Sequence, residues 1–242
     1  MEREITIRFS HIDGAGIVFY PRYFEMLSEL FAHLPFAEAP FAIQTDFLKP
    51  NYLGDQVDIS YDNNDPPGDW AFTGRIGDKK HFSIASLAQE QSELDAAAHC
   101  PDNPAFQSDA MPIAPWTTDF TGYLQVSRFY ELINLAVEQW FSRTLESSFH
   151  ELHTLDRGVP TVLMRTRCRE LPRAGDSIRI WIRPTAIGET SLQYTSWLVR
   201  GKECLLENEQ IIVFVESNGQ QFRPIPIPDH TRARLQEQYV AA

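Results

Sequence analysis

Residues 11–25 read HIDGAGIVFYPRYFE, and residues 119–131 read DFTGYLQVSRFYE. The second stretch repeats the layout of the first at a constant offset of 106 residues. The aligned pairs are Asp13–Asp119, Gly16–Gly122, Arg22–Arg128 and Glu25–Glu131. A repeat of acidic, glycine and charged positions at one fixed offset predicts two copies of a single structural unit in this chain.

Each stretch leads into a predicted helix. Pro21 suits the first helical position, where its missing N–H costs nothing. The apolar stripe of the first helix is formed by Phe24, Leu27, Phe31 and Leu34, at helical spacing. The second helix has a broader stripe of Leu132, Ile133, Ala136, Val137 and Trp140, which is typical of a well-buried helix.

Strands with Gly-Asp turns follow each helix. Gly54-Asp55 matches Gly175-Asp176 at an offset of 121, so the second copy carries about fifteen extra residues between its helix and its strands. The fold class is therefore predicted as α+β, with one long helix and an antiparallel sheet in each copy. We expect a first unit at 1–95, a linker rich in Ala, Pro, Asp and Ser at 96–115, and a second unit at 116–242.

Composition limits the classes of partner. The net charge of −12 argues against nucleic acid, and the chain has no apolar run long enough for a membrane span. Residues 1–105 hold seven Lys and Arg against 17 Asp and Glu, a net charge of −10, whereas residues 106–242 carry only −2. Three cysteines without CxxC spacing, one of them necessarily unpaired, favour a cytoplasmic location.

The first stretch resembles the signature of hotdog-fold acyl-CoA thioesterases of the 4-hydroxybenzoyl-CoA thioesterase type, Asp-x-x-Gly-Ile-Val-x-Tyr-Pro-x-Tyr. The second stretch resembles a sister form, Asp-x-x-Gly-His-x-Asn-x-x-Tyr, with Tyr123 in place of His and Gln125 in place of Asn. The resemblance implies two tandem hotdog units, each a long central helix wrapped by an antiparallel sheet and packed as a pseudo-dimer. It also implies active sites at the seam between them.

Thioester hydrolysis needs an attacking group, and Asp13 is the main candidate. It would act as a general base on water or as a nucleophile; both roles stay open. Tyr20 and His11 are further catalytic candidates. Asp119 is the equivalent candidate in the second copy, where Tyr123 and Gln125 depart from the His and Asn of the sister motif. The alternative for Asp13 is a turn or helix cap. Backbone N–H groups at the start of the first helix, from Arg22 to Phe24, would polarise the carbonyl.

The substrate-binding candidates are Gly14, Gly16, Arg22, Tyr23, Tyr123, Arg165 and Arg167. The two glycines would allow close approach of a ligand to the backbone. Arg165 and Arg167 alternate along a predicted strand and would meet coenzyme A phosphates, although such a row is more often a solvated face. The segment 157–167 is expected opposite Asp13. His150 and His153 are three residues apart without a third ligand, which is poor evidence for zinc.

These observations predict an acyl-CoA thioesterase that needs no metal or other cofactor, with coenzyme A as part of the substrate. An acyl-carrier-protein thioester is the alternative substrate, and a homo-oligomer of such chains is an open expectation. Two rival functions remain. One is an acyl-thioester dehydratase or hydratase on the same fold, which His11 keeps open. The other is a non-catalytic double-hotdog binding protein.

Overall fold

The computed structural model describes residues 1–64, 69–87, 100–218 and 221–240. The helices are α1 (Pro21–Leu30), α2 (Val126–Arg143), α3 (Phe149–Thr154) and α4 (Asp229–Val240). The strands of the first half are β1 (Glu2–Thr6), β2 (Phe41–Phe47), β3 (Gln56–Asn64), β4 (Asp69–Ile76) and β5 (Lys79–Ser86). Those that follow are β6 (Phe106–Gln107), β7 (Met111–Pro112), β8 (Arg157–Gly158), β9 (Thr161–Cys168), β10 (Ser177–Ile187), β11 (Ser191–Arg200), β12 (Glu203–Val213), β13 (Val215–Asn218) and β14 (Gln221–Pro224).

Eleven of the described strands form one antiparallel sheet that runs through both halves. Its order is β1-β3-β4-β5-β2-β9-β12-β11-β10-β6, with β7 also paired to β10. The order of the second half is the mirror image of the first, as a pseudo-two-fold axis between β2 and β9 requires. Since β2 and β9 pair from Phe41–Cys168 to Asp46–Leu163, each covers a sheet edge of the other half.

The pseudo-symmetry extends into the segment predicted as a linker. In the first half Ile5 of β1 pairs with Val57 of β3. In the second half Met111 of β7 pairs with Ile178 of β10, in the same register. Two strands of the 96–115 segment thus lie on the second half's sheet, while residues 96–99 are outside the described residues.

The two long helices pack against each other on one face of the sheet. The rings of Phe24 in α1 and Tyr130 in α2 lie 4.4 Å apart between their centroids. These two residues occupy equivalent positions in the repeat, so their contact lies on the pseudo-two-fold axis. The apolar residues of both halves form one continuous core, which makes the chain a packed pair of helix-and-sheet units.

The helices differ in length. α2 has 18 residues and contains its whole predicted stripe, but α1 has only ten and ends at Leu30. The prediction that the stripe continues through Leu34 on the helix was wrong. Phe31 is buried in the core in an extended conformation, and the residue before Pro35 is biased away from helical angles.

The predicted α+β fold with two helix-and-sheet units is confirmed. A small second sheet, of order β14-β13-β8, is added beside the second unit. No helix within the described residues combines the length and the apolar character needed to cross a bilayer.

Candidate active site

The loop that holds Asp13 is a tight turn closed by its own carboxylate. Oδ1 of Asp13 accepts hydrogen bonds from the backbone N–H groups of Ala15 at 2.8 Å and Ile17 at 3.4 Å. The Asp13 N–H donates to the carbonyl of Ile17 at 2.9 Å. Gly16 has φ of +79°, a left-handed conformation that glycine adopts without strain. The carboxylate is therefore fixed before any ligand arrives.

The Asp119 loop is built in the same way. Oδ1 of Asp119 accepts from the backbone N–H groups of Thr121 at 2.8 Å and Tyr123 at 3.2 Å. Gly122 has φ of +85°. The turn alone thus explains why both copies contain an aspartate and a glycine three residues apart. Asp13 and Asp119 differ in the residues that surround their loops.

Asp13 lies on a cavity of about 690 Å³ between the two halves. The first half contributes Asp13, Gly14, Tyr20, Tyr23 and the segment 47–50. The second half contributes Asn134, Val137, Glu138, Phe149, His150, His153, residues 158–162, Tyr194, Ile212, Val213, Val215, Phe222 and Pro224. The size and the mainly apolar walls suit a small organic ligand. The segment 157–167 was predicted opposite Asp13, and five of its residues line the same cavity.

Burial changes the acidity of Asp13. The side chain is half-buried, and desolvation raises the pKa of its carboxyl above the ordinary value. The backbone N–H groups of Ala15 and Ile17 and the imidazole of His153 act in the opposite direction, because they favour the charged form. A carboxylate with a raised pKa is a stronger base than one in water, which suits proton abstraction.

The helix α3 brings two histidines to this cavity. Its start is capped by Ser148, whose hydroxyl accepts from the Glu151 N–H while the Glu151 carboxylate accepts from the Ser148 N–H. His153 packs against the Asp13 loop: a β-carbon placed on Gly14 would lie 3.2 Å from Nδ1 of His153. Gly14 therefore leaves the space in which the imidazole approaches the loop.

Two tyrosines of the first half line the cavity, and their hydroxyl groups are hydrogen-bonded to other groups of the protein. The Tyr20 hydroxyl donates to the carbonyl of Tyr130 at 3.1 Å, and the Tyr23 hydroxyl donates to Oδ1 of Asn51 at 2.9 Å. Asn51 is fully buried and also contacts His81 at 3.1 Å. Burial raises the pKa of both tyrosine hydroxyls well above the ordinary value. Both side chains thus stay neutral and shape the cavity wall.

Asp119 does not line the cavity. Its neighbour Phe120 is fully exposed, and the hydroxyl of Tyr123 is bound by Arg173, whose guanidinium lies 4.6 Å from the centroid of the Tyr123 ring. In the second half, α2 continues past the position where α1 ends, and its later residues wall the Asp13 cavity.

The remaining predicted site residues lie away from the cavity. His11 is buried in a 3₁₀ turn, not on a strand, and its Nδ1 accepts from the Arg8 N–H at 3.1 Å. Arg165 bonds to Gln44 at 3.0 Å, and Arg167 pairs with Glu207 and Glu209. Gly16 shapes the turn but does not line the cavity.

Arg22 also has protein partners, Glu25 at 2.6 Å and Glu131 at 3.0 Å. At the same helix end, the backbone N–H groups of Arg22 and Tyr23 donate to the carbonyls of Phe19 and Tyr20. Two of the three amides expected to polarise a substrate carbonyl therefore already have acceptors in the protein.

Sequence reasoning missed the polar residues that the second half brings to the cavity. Asn134 and Glu138 lie one turn apart on α2, and the Asn134 amide donates to Oε1 of Glu138 at 2.8 Å. His153 was considered only as half of a zinc motif. Within the described residues, no three His, Cys, Asp or Glu side chains are grouped as metal ligands. The signal available in the sequence was the fifteen-residue excess of the second half, about half of which lengthens α2 while the rest lies between α2 and β9, where α3 is found.

Neither a family model nor a curated protein matches this sequence. Solved structures do match the fold. A 12:0-ACP thioesterase from Umbellularia californica superposes with a TM-score of 0.65 over 88% of this chain and 94% of that protein, at 8% identity. Because this match spans both halves, the chain shares the overall fold of that thioesterase.

Smaller thioesterases match about half of the chain. One from Thermus thermophilus, solved with coenzyme A and zinc, covers 58% of this chain and 98% of its own, at 18% identity and a TM-score of 0.48. A 1,4-dihydroxy-2-naphthoyl-CoA thioesterase from Synechocystis covers 55% of this chain and 96% of its own, at 15% identity and a TM-score of 0.49.

Proposed function

We propose that this protein is an acyl-thioester hydrolase whose working site is the cavity at Asp13. The observation that carries the proposal is the position of Asp13. Its carboxylate is fixed by backbone N–H groups, has a raised pKa, and lies on a 690 Å³ cavity between the two units. These features give a base or nucleophile beside a space that holds an acyl group.

The proposed reaction begins with the thioester carbonyl beside Asp13. Asp13 removes a proton from a water molecule that attacks the carbonyl carbon, or it attacks that carbon itself to form an anhydride that water then opens. In the first route the carbon–sulfur bond breaks when the tetrahedral intermediate collapses, and in the second it breaks as the anhydride forms. Both routes release a carboxylic acid and a thiol. The apolar walls, among them Phe47, Val137 and Tyr194, would surround the acyl group.

The proposed substrate is an acyl-coenzyme A, and the two units are proposed to be tandem hotdog units of the 4-hydroxybenzoyl-CoA thioesterase type. The sequence motif around Asp13 supports both. The similar Umbellularia californica protein is by its name an acyl-ACP thioesterase, so an acyl-carrier-protein thioester is the second substrate to test. No cofactor takes part in the proposed reaction.

Thiol release from a panel of thioesters tests the proposal. Butanoyl-, dodecanoyl- and benzoyl-CoA and dodecanoyl-acyl-carrier protein are incubated with wild type, Asp13→Asn and Asp119→Asn. Asp119→Asn is a matched control because both carboxylates accept the same two backbone hydrogen bonds, with the Thr121 hydroxyl as an additional donor to Asp119, but only Asp13 lines the cavity. We expect Asp13→Asn to lose about 10³-fold in kcat and Asp119→Asn to keep wild-type activity. Equal activity of wild type and Asp13→Asn would overturn the proposal.

The route of attack is tested by a single turnover in H₂¹⁸O with enzyme in excess. Direct attack by Asp13 places ¹⁸O in the Asp13 carboxylate after the anhydride is opened at the protein side. General-base catalysis places the label only in the released acid. Label in the peptide that contains Asp13, measured by mass spectrometry, therefore identifies direct attack with opening of the anhydride at the protein side.

A further inference from the structure

The insertion between α2 and β9 breaks the symmetry of the two halves. The repeat has an offset of 106 residues at the start of α2 and 121 at the strands after it, so about fifteen residues of the second half have no counterpart in the first. About half of them lengthen α2, and the others form the insertion between α2 and β9. The insertion contains α3, and its residues Phe149, His150 and His153 line the cavity of Asp13. The Asp13 loop and α3 thus line the same cavity, and Asp119 is not among the residues that line it.

Within α3, His153 is the histidine whose ring packs against the Asp13 loop. Its Nδ1 and Cε1 atoms would lie 3.2 Å and 3.3 Å from a β-carbon on Gly14. The imidazole interacts electrostatically with the Asp13 carboxylate. Asp13 is half-buried, whereas His153 lines the same cavity and is exposed, so His153 contacts both the site and the solvent.

We propose that His153 is a catalytic residue that protonates the sulfur of the leaving thiol, a role that rests on the proposed thioester hydrolysis. Water adds to the carbonyl carbon and gives one proton to Asp13. The tetrahedral intermediate then breaks its carbon–sulfur bond, and the electron pair of that bond takes a proton from the imidazolium of His153. Asp13 releases its proton to the neutral imidazole or to solvent, which restores both groups.

The chemistry of the two groups fits this division of roles. An imidazole can both donate and accept a proton, and it is the side chain that most often transfers protons in enzyme sites. A thiol of ordinary acidity, with a pKa of about 8.5, leaves as a thiolate that is protonated at neutral pH. The exposed position of His153 lets solvent reload it after each turnover, whereas the half-buried Asp13 faces the attacking water.

Leaving-group dependence tests the proposal. Wild type, His153→Gln and Asp13→Asn are assayed with benzoyl-CoA and with the S-4-nitrophenyl thioester of benzoic acid. The nitrothiophenolate leaves without protonation. We expect His153→Gln to lose about 10²-fold in kcat with benzoyl-CoA and at most about threefold with the aryl thioester. Asp13→Asn is expected to lose activity with both. His33→Gln is the matched control, since His33 is an exposed histidine outside the cavity.

Equal losses of His153→Gln on both substrates would overturn the proposal, because they would indicate a role in binding or structure. Unchanged activity of His153→Gln would overturn it as well, while leaving the hydrolase proposal intact. A wild type inactive on every thioester would instead overturn the proposed function itself. Thermal unfolding of each variant, and recovery of His153→Ala activity by added imidazole, distinguish loss of the imidazole from loss of the fold.

Discussion

Arg22 of α1 pairs with Glu131 of α2 at 3.0 Å, and the equivalent residues, Arg128 and Glu25, approach to 3.6 Å across the pseudo-two-fold axis. Each arginine also bonds to the glutamate three residues later on its own helix. The four charges form a closed cluster between the two long helices. These repeated charged residues therefore form part of the contact between α1 and α2.

Replacing Arg22 tests whether it serves this cluster or the substrate. Arg22→Ala is expected to lower the free energy of unfolding by about 1 kcal/mol or less, because the cluster is partly exposed to solvent. KM for an acyl-CoA is expected to stay within about twofold of wild type. Urea unfolding and steady-state kinetics measure the two effects.

A double-mutant cycle with Glu131→Gln provides the control for that experiment. Positive coupling between Arg22 and Glu131 is expected in unfolding, with no coupling in KM. A large rise in KM for Arg22→Ala, with unchanged stability, would instead support the original prediction of a substrate-binding arginine.

The rate of hydrolysis is expected to fall on the acidic side as Asp13 takes up a proton. Because burial raises the pKa of Asp13, the fall should begin at a higher pH than for an exposed aspartate, whose pKa is about 3.9. Profiles of kcat/KM from pH 4 to 8 measure the inflection. The groups that face Asp13 are His153 and Tyr23, and Tyr23 stays neutral throughout.

His153→Gln removes the contribution of the imidazole from that profile. The acidic inflection assigned to Asp13 should remain in this variant and should move slightly upward, because His153 favours the charged carboxylate. An inflection at or below the ordinary aspartate value would contradict the assignment.

The free energy of unfolding should also depend on pH through the half-buried carboxyl group of Asp13. A pKa raised in the folded state means that the folded protein binds this proton more tightly than the unfolded chain. The contribution of Asp13 to stability is therefore full below the unfolded pKa and is lost as pH rises through the folded pKa. Asp13→Asn keeps an oxygen for the N–H groups of Ala15 and Ile17, and it is expected to be at least as stable as wild type at pH 7.

The advantage of Asp13→Asn should shrink as pH is lowered toward 4, where wild-type Asp13 becomes neutral. Urea unfolding at pH 4, 5 and 7 measures this trend, with Asp119→Asn as the control. A variant that is much less stable than wild type at pH 7 would show that the charge itself holds the loop.

Substitutions at two glycines of the Asp13 loop should have different effects, one mainly on activity and the other mainly on stability. Gly14→Ala places a β-carbon 3.2 Å from the His153 ring without a left-handed backbone, so it should displace the imidazole and lower kcat with little loss of stability. Gly16→Ala meets no neighbouring atom but has φ of +79°, so it should lower the free energy of unfolding by about 1 kcal/mol.

The kinetics and unfolding of these two variants are measured side by side. The interpretation requires the larger kinetic loss in Gly14→Ala and the larger loss of stability in Gly16→Ala. The reverse pattern would mean that the position of the His153 imidazole, and its effect on kcat, do not depend on the space that Gly14 leaves.

Two equivalent buried threonines should respond oppositely to the same substitution. The Thr166 hydroxyl bonds to Tyr130 at 2.7 Å and to Asn208 at 2.8 Å, so Thr166→Val leaves polar groups unpaired and should cost about 2 kcal/mol. Among the described residues, the buried Thr45 hydroxyl has no partner, so Thr45→Val should stabilise the fold by up to about 1 kcal/mol. Urea unfolding of both variants tests this; a loss in Thr45→Val would contradict it.

The sequence predicted the repeated unit and the start of α1 at Pro21. A turn at Asp13 was the alternative to its catalytic role, and the left-handed conformations of Gly16 and Gly122 were not predicted. Local rules did not predict that α1 ends early, or that β7 lies where β1 lies in the other half. They also did not place His153, because the path of an insertion over a distant loop depends on tertiary packing.

The joining of β2 to β9 has an evolutionary consequence. In a homodimer of identical subunits every substitution appears twice, so a change that closes one site also closes the other. Here the two units share a sheet but are encoded separately, and each is free to vary by itself. Asp13 lies half-buried on a cavity, whereas beside Asp119 the Phe120 side chain is exposed and the Tyr123 hydroxyl is bound by Arg173, a difference that strict symmetry would forbid.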